Sequence, residues 1–382
     1  MSGSSNQDIF EAIPSPCFVL EEEKLARNLK QIDKVQKSAQ ITILLALKGF
    51  AMWSSFSLIK SFLNTASASS MNEAKLCVEK FNELSHTYAV GYKDDEFVEL
   101  MKLSSHVTFN SLNQYYKFHN QVPAGISVGL RVNPEYSDVT VDLYNPANPY
   151  SRLGLTSKSL PKSLPSNIEG LHFHVLCESS AAALVQVLKI FEKKFKKYLQ
   201  NIKWINMGGG HLITKEGYDI ELLINTLKYF KMKYQVEIIL EPSGAIAWQT
   251  GFLKTTVIDI VENNGSLTAV IDASFTCHMP DCLEMPYRPE ILEGSQDPEK
   301  YSFRYNLGGI SCLAGDYLEG YSFLKPLKIG DTLTFQDMMQ YTMVKTTMFN
   351  GINHPSIGVI RSDKKFELLK VFSYKDYRDK LS

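Results

Sequence analysis

The chain has 382 residues, and its 40 Lys and Arg against 41 Asp and Glu give a formal net charge of −1. This balance gives no electrostatic reason to expect a nucleic-acid partner. The hydrophobic share of 44% is typical of a globular protein. No stretch approaches the ~20 apolar residues of a membrane-spanning helix, and the N-terminus lacks the apolar core of a secretory signal. The six cysteines are sparse and irregularly spaced. We therefore expect a cytoplasmic protein with free thiols.

Short β-rich segments alternate with helix-period segments over the first two thirds of the chain. This alternation predicts parallel strands joined by helical crossovers. Eight such strands within about 200 residues predict a (β/α)8 TIM barrel. The predicted strands are 41–47, 65–69, 87–90, 106–110, 127–133, 169–175, 204–207 and 236–240. The predicted helices between them include 71–84, 94–102, 181–199 and 219–233.

The pattern changes near residue 247, where the helical periods fade. Alternating segments separated by Gly, Pro and Asn predict a mainly antiparallel β domain. They are 255–261, 267–272, 332–336 and 367–372. We therefore divide the chain into a barrel at 21–246 and a C-terminal β domain at 247–382. A strand within about residues 10–20 is expected to join the β domain.

Lys48 and a run of three glycines follow two of the predicted barrel strands. Active sites of such barrels lie at the carboxyl ends of the strands. Lys48 comes after the apolar run ILLAL, and a desolvated amine there has a lowered pKa and can attack an aldehyde. The alternative is a lysine whose amine extends into solvent. The glycines at 208–210 can bring backbone N–H groups to a phosphate, or they form only a tight turn.

Two further strand ends carry a carboxylate and a pair of histidines. Glu241 follows an apolar run, where a carboxylate is costly unless paired. Its partner would be a protonated ring nitrogen or a neighbouring basic residue. His172 and His174 point to the same side of a strand, and with Cys177 they are conceivable zinc ligands. A second conceivable set is Cys277, His278 and Cys282. A structural zinc site needs four ligands, so we predict no metal site.

Together these groups describe a site for pyridoxal 5′-phosphate (PLP): a lysine for the aldehyde, glycines for the phosphate, a carboxylate for the ring nitrogen and a histidine for the ring face. Longer motifs point the same way. They are ALKGF at 46–50, GLHFHVLCE at 170–178, NMGGGH at 206–211, CHMPDCLEMPYRP at 277–289, CLAGDYLEGY at 312–321 and QYTMVKTTMFNG at 340–351. In these motifs the chain resembles the barrel-type PLP decarboxylases, the family of ornithine, arginine and diaminopimelate decarboxylases.

The resemblance spans nearly the whole chain and implies an activity. It implies that the chain converts carboxyspermidine, carboxynorspermidine or both to spermidine or norspermidine and CO2, a step of polyamine biosynthesis. It also implies a homodimer in which β-domain loops of each chain enter the partner's barrel. Two alternatives remain open. One is a decarboxylase of the same fold that acts on ornithine, lysine or diaminopimelate, and the other is a catalytically silent homologue that acts by binding a partner.

The resemblance also implies roles for individual residues. Lys48 would bind the PLP aldehyde, His174 would stack on the ring, and Glu241 would keep the ring nitrogen protonated. The residues implied to contact the phosphate are Gly209, Gly210, Tyr341 and Cys177, the last in place of a serine. Cys312 would return a proton after CO2 leaves. Substrate amines would be bound by Asp281 and Asp316, with Glu284 as a further acidic candidate.

The chain departs from the family after Glu241. Relatives carry Glu-Pro-Gly followed by Arg or Glu, whereas here Ser243 and Gly244 follow the proline. Ser243 can still offer its backbone N–H to the phosphate. Gly244 is also expected to lie at the cofactor and substrate sites. It has no side chain there to contact either, so a substrate with a second, distal carboxylate is disfavoured.

Overall fold

The computed structural model describes residues 6–285 and 287–382, and the chain divides into two compact units. The barrel unit is Ala26–Ile246. The β unit is Ala247–Ser382 together with the N-terminal segment up to Leu25.

The barrel unit is a closed parallel sheet surrounded by helices, so the predicted fold class is confirmed. Its first strand is interrupted at Leu44. The two halves of this strand pair with the last strand and the second strand, which closes the sheet. All eight predicted strands are present, and the third and fourth each begin two residues earlier than predicted. In chain order the strand segments are Thr42–Ile43, Leu45–Ala46, Ala66–Ala68, Ser85–Tyr88, Ser104–Phe109, Ser127–Arg131, Ile168–His172, Trp204–Asn206 and Glu237–Leu240.

The helices lie where apolar residues recur at helical spacing. In Ala181–Phe195, for example, the buried side chains include Leu184, Leu188, Phe191 and Phe195, which form one apolar face. The α-helices around the barrel are Glu22–Ala39, Phe56–Lys60, Met71–Leu76, Asp94–Lys102, Leu112–Phe118, Ala181–Phe195, Ile220–Tyr234 and Ser243–Ala247. The 3-10 and π turns are Trp53–Ser55, Cys77–Phe81, His119–Gln121, Asp142–Tyr144 and Lys196–Asn201.

Trp204 fills the barrel interior, and two glycines on neighbouring strands make room for it. A Cβ at Gly129 or Gly170 would lie 2.3 Å or 2.1 Å from the indole ring. Any larger residue at these positions would therefore displace the ring. The indole also packs with Leu44 and Ile239 in a buried apolar cluster.

The β unit is a mixed sheet in which most pairings are antiparallel. Its long central strand, Gly251–Asn263, pairs with the N-terminal strand Cys17–Glu21, which also pairs with Ser356–Ile360. In chain order the strands are Cys17–Glu21, Gly251–Asn263, Ser266–Ile271, Gly294–Ser295, Phe303–Gly308, Tyr317–Phe323, Thr332–Gln336, Ser356–Ile360 and Phe366–Lys370. The helices are Asn6–Glu11, Phe275–His278, Pro280–Glu284 and Tyr374–Leu381, with 3-10 turns at Met343–Lys345 and Phe349–Gly351. Within 6–285 and 287–382, no helix has the length and apolar character needed to cross a membrane.

Candidate active site

Lys48 lies just past the carboxyl end of the first barrel strand. Its side chain remains accessible to solvent, yet the surrounding walls of the barrel mouth desolvate the ammonium group. This desolvation lowers the Lys48 pKa, and Arg131 lowers it further, while the carboxylates of Glu241 and Glu73 oppose the shift. A lowered pKa increases the fraction of neutral amine, which is the nucleophilic form.

Glu241 follows the last barrel strand, and both of its carboxylate oxygens are held. Oε1 accepts a hydrogen bond from Nδ2 of Asn206 at 2.6 Å, and Oε2 accepts one from Oγ of Ser67 at 2.9 Å. The Oδ1 atom of Asn206 in turn accepts the backbone N–H of Gly208 at 2.8 Å. Asn206 therefore connects the carboxylate to the glycine loop.

His174 is oriented by the glycine loop. The N–H of Gly209 donates to Nδ1 of His174 at 2.8 Å, and burial lowers the His174 pKa well below its ordinary value. The ring is therefore neutral with its proton on Nε2. Gly208 has φ +69°, and a Cβ there would lie 2.6 Å from Nδ1. The ring keeps this position because residue 208 has no side chain.

The residues predicted to contact the phosphate differ in whether their hydrogen-bond donors are free. The Gly209 N–H is engaged with His174, whereas the Gly210 N–H makes no hydrogen bond to the described residues. Burial raises the pKa of the half-buried Cys177 thiol to about 11, so this group stays protonated. The Ser243 N–H donates to the carbonyl oxygen of Glu241 at 2.9 Å, and its hydroxyl accepts the Ala46 N–H.

Three residues that line the same part of the barrel were not among the predicted site residues. The Arg131 guanidinium lies 4.7 Å from the centre of the Tyr88 ring and donates to the His174 carbonyl oxygen at 3.3 Å. The Tyr88 ring meets the His172 ring edge-on at 5.1 Å. Arg131 and Tyr88 end barrel strands, and Asn206 precedes the glycines. Their positions at or near strand ends could have indicated them in the sequence, but other polar residues occupy similar positions.

His172 is buried, and both of its ring nitrogens are without a partner among the described residues. Burial, with Arg131 and Lys48 nearby, lowers its pKa well below the ordinary value, so the ring is neutral. Buried ring nitrogens are costly unless a ligand or a water molecule pairs with them. No group of three or more His, Cys, Asp or Glu that could hold a metal occurs within the described ranges. The unpartnered imidazole, the available Gly210 N–H, the amine and the fixed carboxylate fit an aldehyde-bearing, phosphorylated pyridine.

In the β unit, Cys312 lies on an exposed loop between two strands. Asp316, four residues later, is buried, and its two carboxylate oxygens accept backbone N–H groups of Thr276 and Ser311. The Glu284 carboxylate forms an ion pair with Lys345. The Tyr341 ring is 38% exposed, on a backbone with φ 50°.

Asp281 differs from the other two acidic residues. Its Oδ2 accepts hydrogen bonds from the hydroxyls of Tyr287 at 2.9 Å and Thr342 at 2.8 Å. Its Oδ1 is buried and has no partner among the described residues. Of the three acidic residues predicted to bind substrate, Asp281 is therefore the one with a buried oxygen that lacks a partner among the described residues.

The sequence profile of the family described as "Pyridoxal-dependent decarboxylase, C-terminal sheet domain" matches residues 17–339. The chain is 50% identical over 372 residues to carboxyaminopropylagmatine decarboxylase of Synechocystis, covering 97% of this chain and 96% of the relative. It is 43% identical over 378 residues to carboxynorspermidine/carboxyspermidine decarboxylase of Campylobacter jejuni, covering 96% of this chain and 98% of the relative. The crystal structure of carboxynorspermidine decarboxylase from C. jejuni in complex with norspermidine superposes with a TM-score of 0.89. In that comparison the identity is 42%, with coverage of 96% of this chain and 100% of the other.

Proposed function

The chain belongs to the pyridoxal-dependent decarboxylases, and we propose that it decarboxylates carboxyspermidine, carboxynorspermidine or both. The products would be spermidine or norspermidine and CO2. The similarity to the C. jejuni enzyme along nearly the whole chain supports this substrate class.

The observation that carries the proposal is the free oxygen of Asp281. A buried carboxylate oxygen without a hydrogen-bond donor is costly, and a substrate ammonium group supplies both a donor and the opposite charge. Because Glu284 and Asp316 are already engaged, Asp281 is the acidic residue best suited to bind a distal amine.

A second candidate substrate is carboxyaminopropylagmatine, which ends in a guanidinium group. The 50% identity to the Synechocystis enzyme favours it. A guanidinium binds a carboxylate best through two parallel hydrogen bonds, one to each oxygen. In Asp281, the two hydroxyl donors already use Oδ2, which leaves one oxygen. A single remaining acceptor favours an ammonium over a guanidinium.

The protein's own groups divide the work of the reaction. Lys48 would hold the PLP aldehyde, and Glu241, fixed by Asn206 and Ser67, would keep the ring nitrogen protonated. The Gly210 N–H and the Cys177 thiol would bind the phosphate. When bound, PLP supplies an electron sink for the pair left on Cα by departing CO2. Cys312 would then place a proton on that carbon as a general acid.

We also propose that the active form is a homodimer in which the β unit of one chain completes the barrel site of its partner. Exposed apolar side chains flank the Cys312 loop: Ile310 is 36% exposed, Leu313 46% and Phe349 46%. A group of exposed apolar side chains beside the Cys312 loop suits a surface that another protein chain covers.

The substitution Asp281→Asn tests the substrate assignment. We expect the KM for carboxyspermidine and carboxynorspermidine to rise about 10–100-fold, because a hydrogen bond to a charged group is worth ~1.5–3 kcal/mol. The matched control is Glu284→Gln, on the same helix as Asp281. Because Lys345 already neutralises the Glu284 carboxylate, this substitution should raise the KM less. An Asp281→Asn enzyme with the KM of the wild type would contradict the assignment.

A further inference from the structure

We propose that Asp316 and Asn350 are positioning residues that hold the Cys312 thiol for proton delivery, an inference that rests on the proposed function. Consecutive backbone N–H groups of the Cys312 loop each donate to a side-chain oxygen. Ser311 donates to Oδ2 of Asp316 at 3.1 Å, and Cys312 donates to Oδ1 of Asn350 at 2.8 Å. Leu313 donates to Oγ of Ser311 at 3.3 Å. The backbone that carries the thiol is therefore fixed, although the thiol itself is exposed.

Asp316 closes the loop from within. It is 3% exposed, and its Oδ1 accepts the Thr276 N–H at 2.9 Å. Its backbone N–H donates to the Leu313 carbonyl oxygen at 3.0 Å, and its own carbonyl accepts the Gly309 N–H at 2.7 Å. A Cβ at Gly309 would lie 2.4 Å from the Asp316 carboxylate. Because both of its oxygens accept backbone N–H groups, the Asp316 carboxylate fixes the loop backbone. This role differs from the substrate contact that the resemblance implied.

Asn350 holds the loop from the opposite segment. Its φ of 58° lies in the left-handed region, which asparagine tolerates better than most residues. The segment around Asn350 is tied to the short helix Phe275–His278. The Thr347 N–H donates to the Cys277 carbonyl oxygen at 2.7 Å, and the Cys277 thiol donates to the Phe349 carbonyl oxygen at 3.6 Å.

Both holding contacts therefore lead to one helix, because Thr276 binds Asp316 and Cys277 binds the Asn350 segment. This shared anchor fixes the position of the Cys312 backbone from two sides. Loss of either contact should let the Cys312 backbone move, so that the thiol is still present but no longer held in one position.

The position of the thiol has a chemical consequence. The reaction replaces the C–COO⁻ bond by a C–H bond, so that R–CH(NH2)–COO⁻ and one proton give R–CH2–NH2 and CO2. The Cys312 S–H bond supplies the proton, and water reprotonates the resulting thiolate. In D2O the exchanged thiol carries deuterium, and a fixed thiol delivers it to one face of the carbon. If the thiol is displaced, water can deliver deuterium to either face.

The test is decarboxylation in D2O by the PLP-loaded enzyme, with the configuration of the deuterated CH2 group read by NMR of a chiral derivative. Asn350→Gly removes the acceptor while glycine accommodates the positive φ. We expect kcat to fall about 10–100-fold, since a misplacement of about 1 Å can cost on the order of 100-fold. KM should stay within about twofold of the wild-type value, and the label should appear on both faces. Asn350→Asp retains an acceptor oxygen and should restore delivery to a single face.

Two further variants separate the roles of Asp316. Gly309→Ala displaces the Asp316 carboxylate without changing its charge, and Asp316→Asn replaces one of its acceptor oxygens by a donor. Both should lower kcat and mix the label. A raised KM with single-face labelling in Asp316→Asn would assign the residue to substrate binding and overturn the inference. Single-face labelling in Asn350→Gly, or mixed labelling in the wild type, would also overturn it.

If the wild type acts on a different amino acid, the proposed substrate fails, and the labelling test is run on that amino acid.

Discussion

Asn206 and Glu241 are joined by a hydrogen bond of 2.6 Å from the side-chain amide to the carboxylate, at the carboxyl ends of neighbouring strands. The same asparagine accepts the N–H of Gly208. One side chain thus sets the orientation of the carboxylate and the start of the glycine loop, which in turn orients His174.

We predict that Asn206→Ala weakens PLP binding and lowers kcat by about 10–100-fold, because a hydrogen bond to a charged group is worth ~1.5–3 kcal/mol. The measurements are the PLP dissociation constant, from the absorbance of the bound cofactor, and steady-state kinetics. Asn225→Ala, at an exposed position of the helix Ile220–Tyr234, is the control. Unchanged cofactor affinity in Asn206→Ala would show that Ser67 alone suffices to orient Glu241.

A second prediction concerns the glycine that accommodates His174. Gly208→Ala places a Cβ 2.6 Å from Nδ1 of His174, so the ring must move, and PLP affinity and kcat should fall together. Gly217→Ala is the matched control, because Gly217 also has a positive φ, +78°, but a Cβ at that position would have nothing within 4 Å. The control should lower the unfolding free energy by roughly 1 kcal/mol, because alanine is strained at a positive φ. Its activity and PLP affinity should stay at the wild-type level. Equal losses of activity in the two variants would refute the explanation by contact with His174.

The barrel was predictable because its strands are apolar and regularly spaced. The strands Ser85–Tyr88 and Ser104–Phe109 each begin two residues earlier than predicted, because both start with polar residues. Their hydroxyls satisfy one another in the structure: Ser85 Oγ lies 2.8 Å from Thr87 Oγ1, which lies 2.6 Å from Ser104 Oγ. Composition alone cannot show that buried polar groups are paired in this way.

That Lys48, His174 and Glu241 lie at the same end of the barrel was also predictable, because each follows or ends a barrel strand. The hydrogen bonds among them were not. The partner of a backbone N–H depends on the local loop geometry, which the sequence does not show. Here the Gly209 N–H donates to His174 and the Ser243 N–H donates to the Glu241 carbonyl oxygen. Whether either also contacts the phosphate stays a prediction. The engagement of Asp316 by two backbone N–H groups was likewise invisible in the sequence.

A third prediction is loss of stability in mild acid. His211 is buried, its two ring nitrogens have no partner among the described residues, and burial lowers its pKa from 6.5 to about 4. Because the folded state resists protonation, this stabilising contribution is present above pH 6.5 and is lost as the pH falls toward 4. The loss from this group is roughly 3 kcal/mol over that range.

The substitution His211→Leu isolates this contribution, since leucine does not titrate and needs no hydrogen-bond partner. Unfolding free energies from urea titrations at several pH values between 7.5 and 4.5 should decline less steeply in the variant than in the wild type. Identical pH dependence in the two proteins would show that His211 is protonated as easily in the folded state as in the unfolded chain.

A fourth prediction follows from the proposed shared site. Lys48→Ala and Cys312→Ala chains are each expected to be inactive as homodimers. After subunit exchange, a mixed dimer would contain one intact site, so an equal mixture should recover about a quarter of the wild-type activity. Mass spectrometry of intact dimers confirms the exchange. Complete exchange without recovered activity would place Lys48 and Cys312 of the same chain in one site.

The most direct test of the central claim is CO2 release by the PLP-loaded wild type from a panel of substrates. The panel consists of carboxyspermidine, carboxynorspermidine, carboxyaminopropylagmatine, ornithine, lysine and diaminopimelate. We predict that kcat/KM is highest for carboxyspermidine or carboxynorspermidine. A preference for carboxyaminopropylagmatine would contradict the substrate assignment from Asp281 and show that the site accepts a guanidinium. Turnover of a diamino acid alone, or of none of the six compounds, would contradict the proposed function.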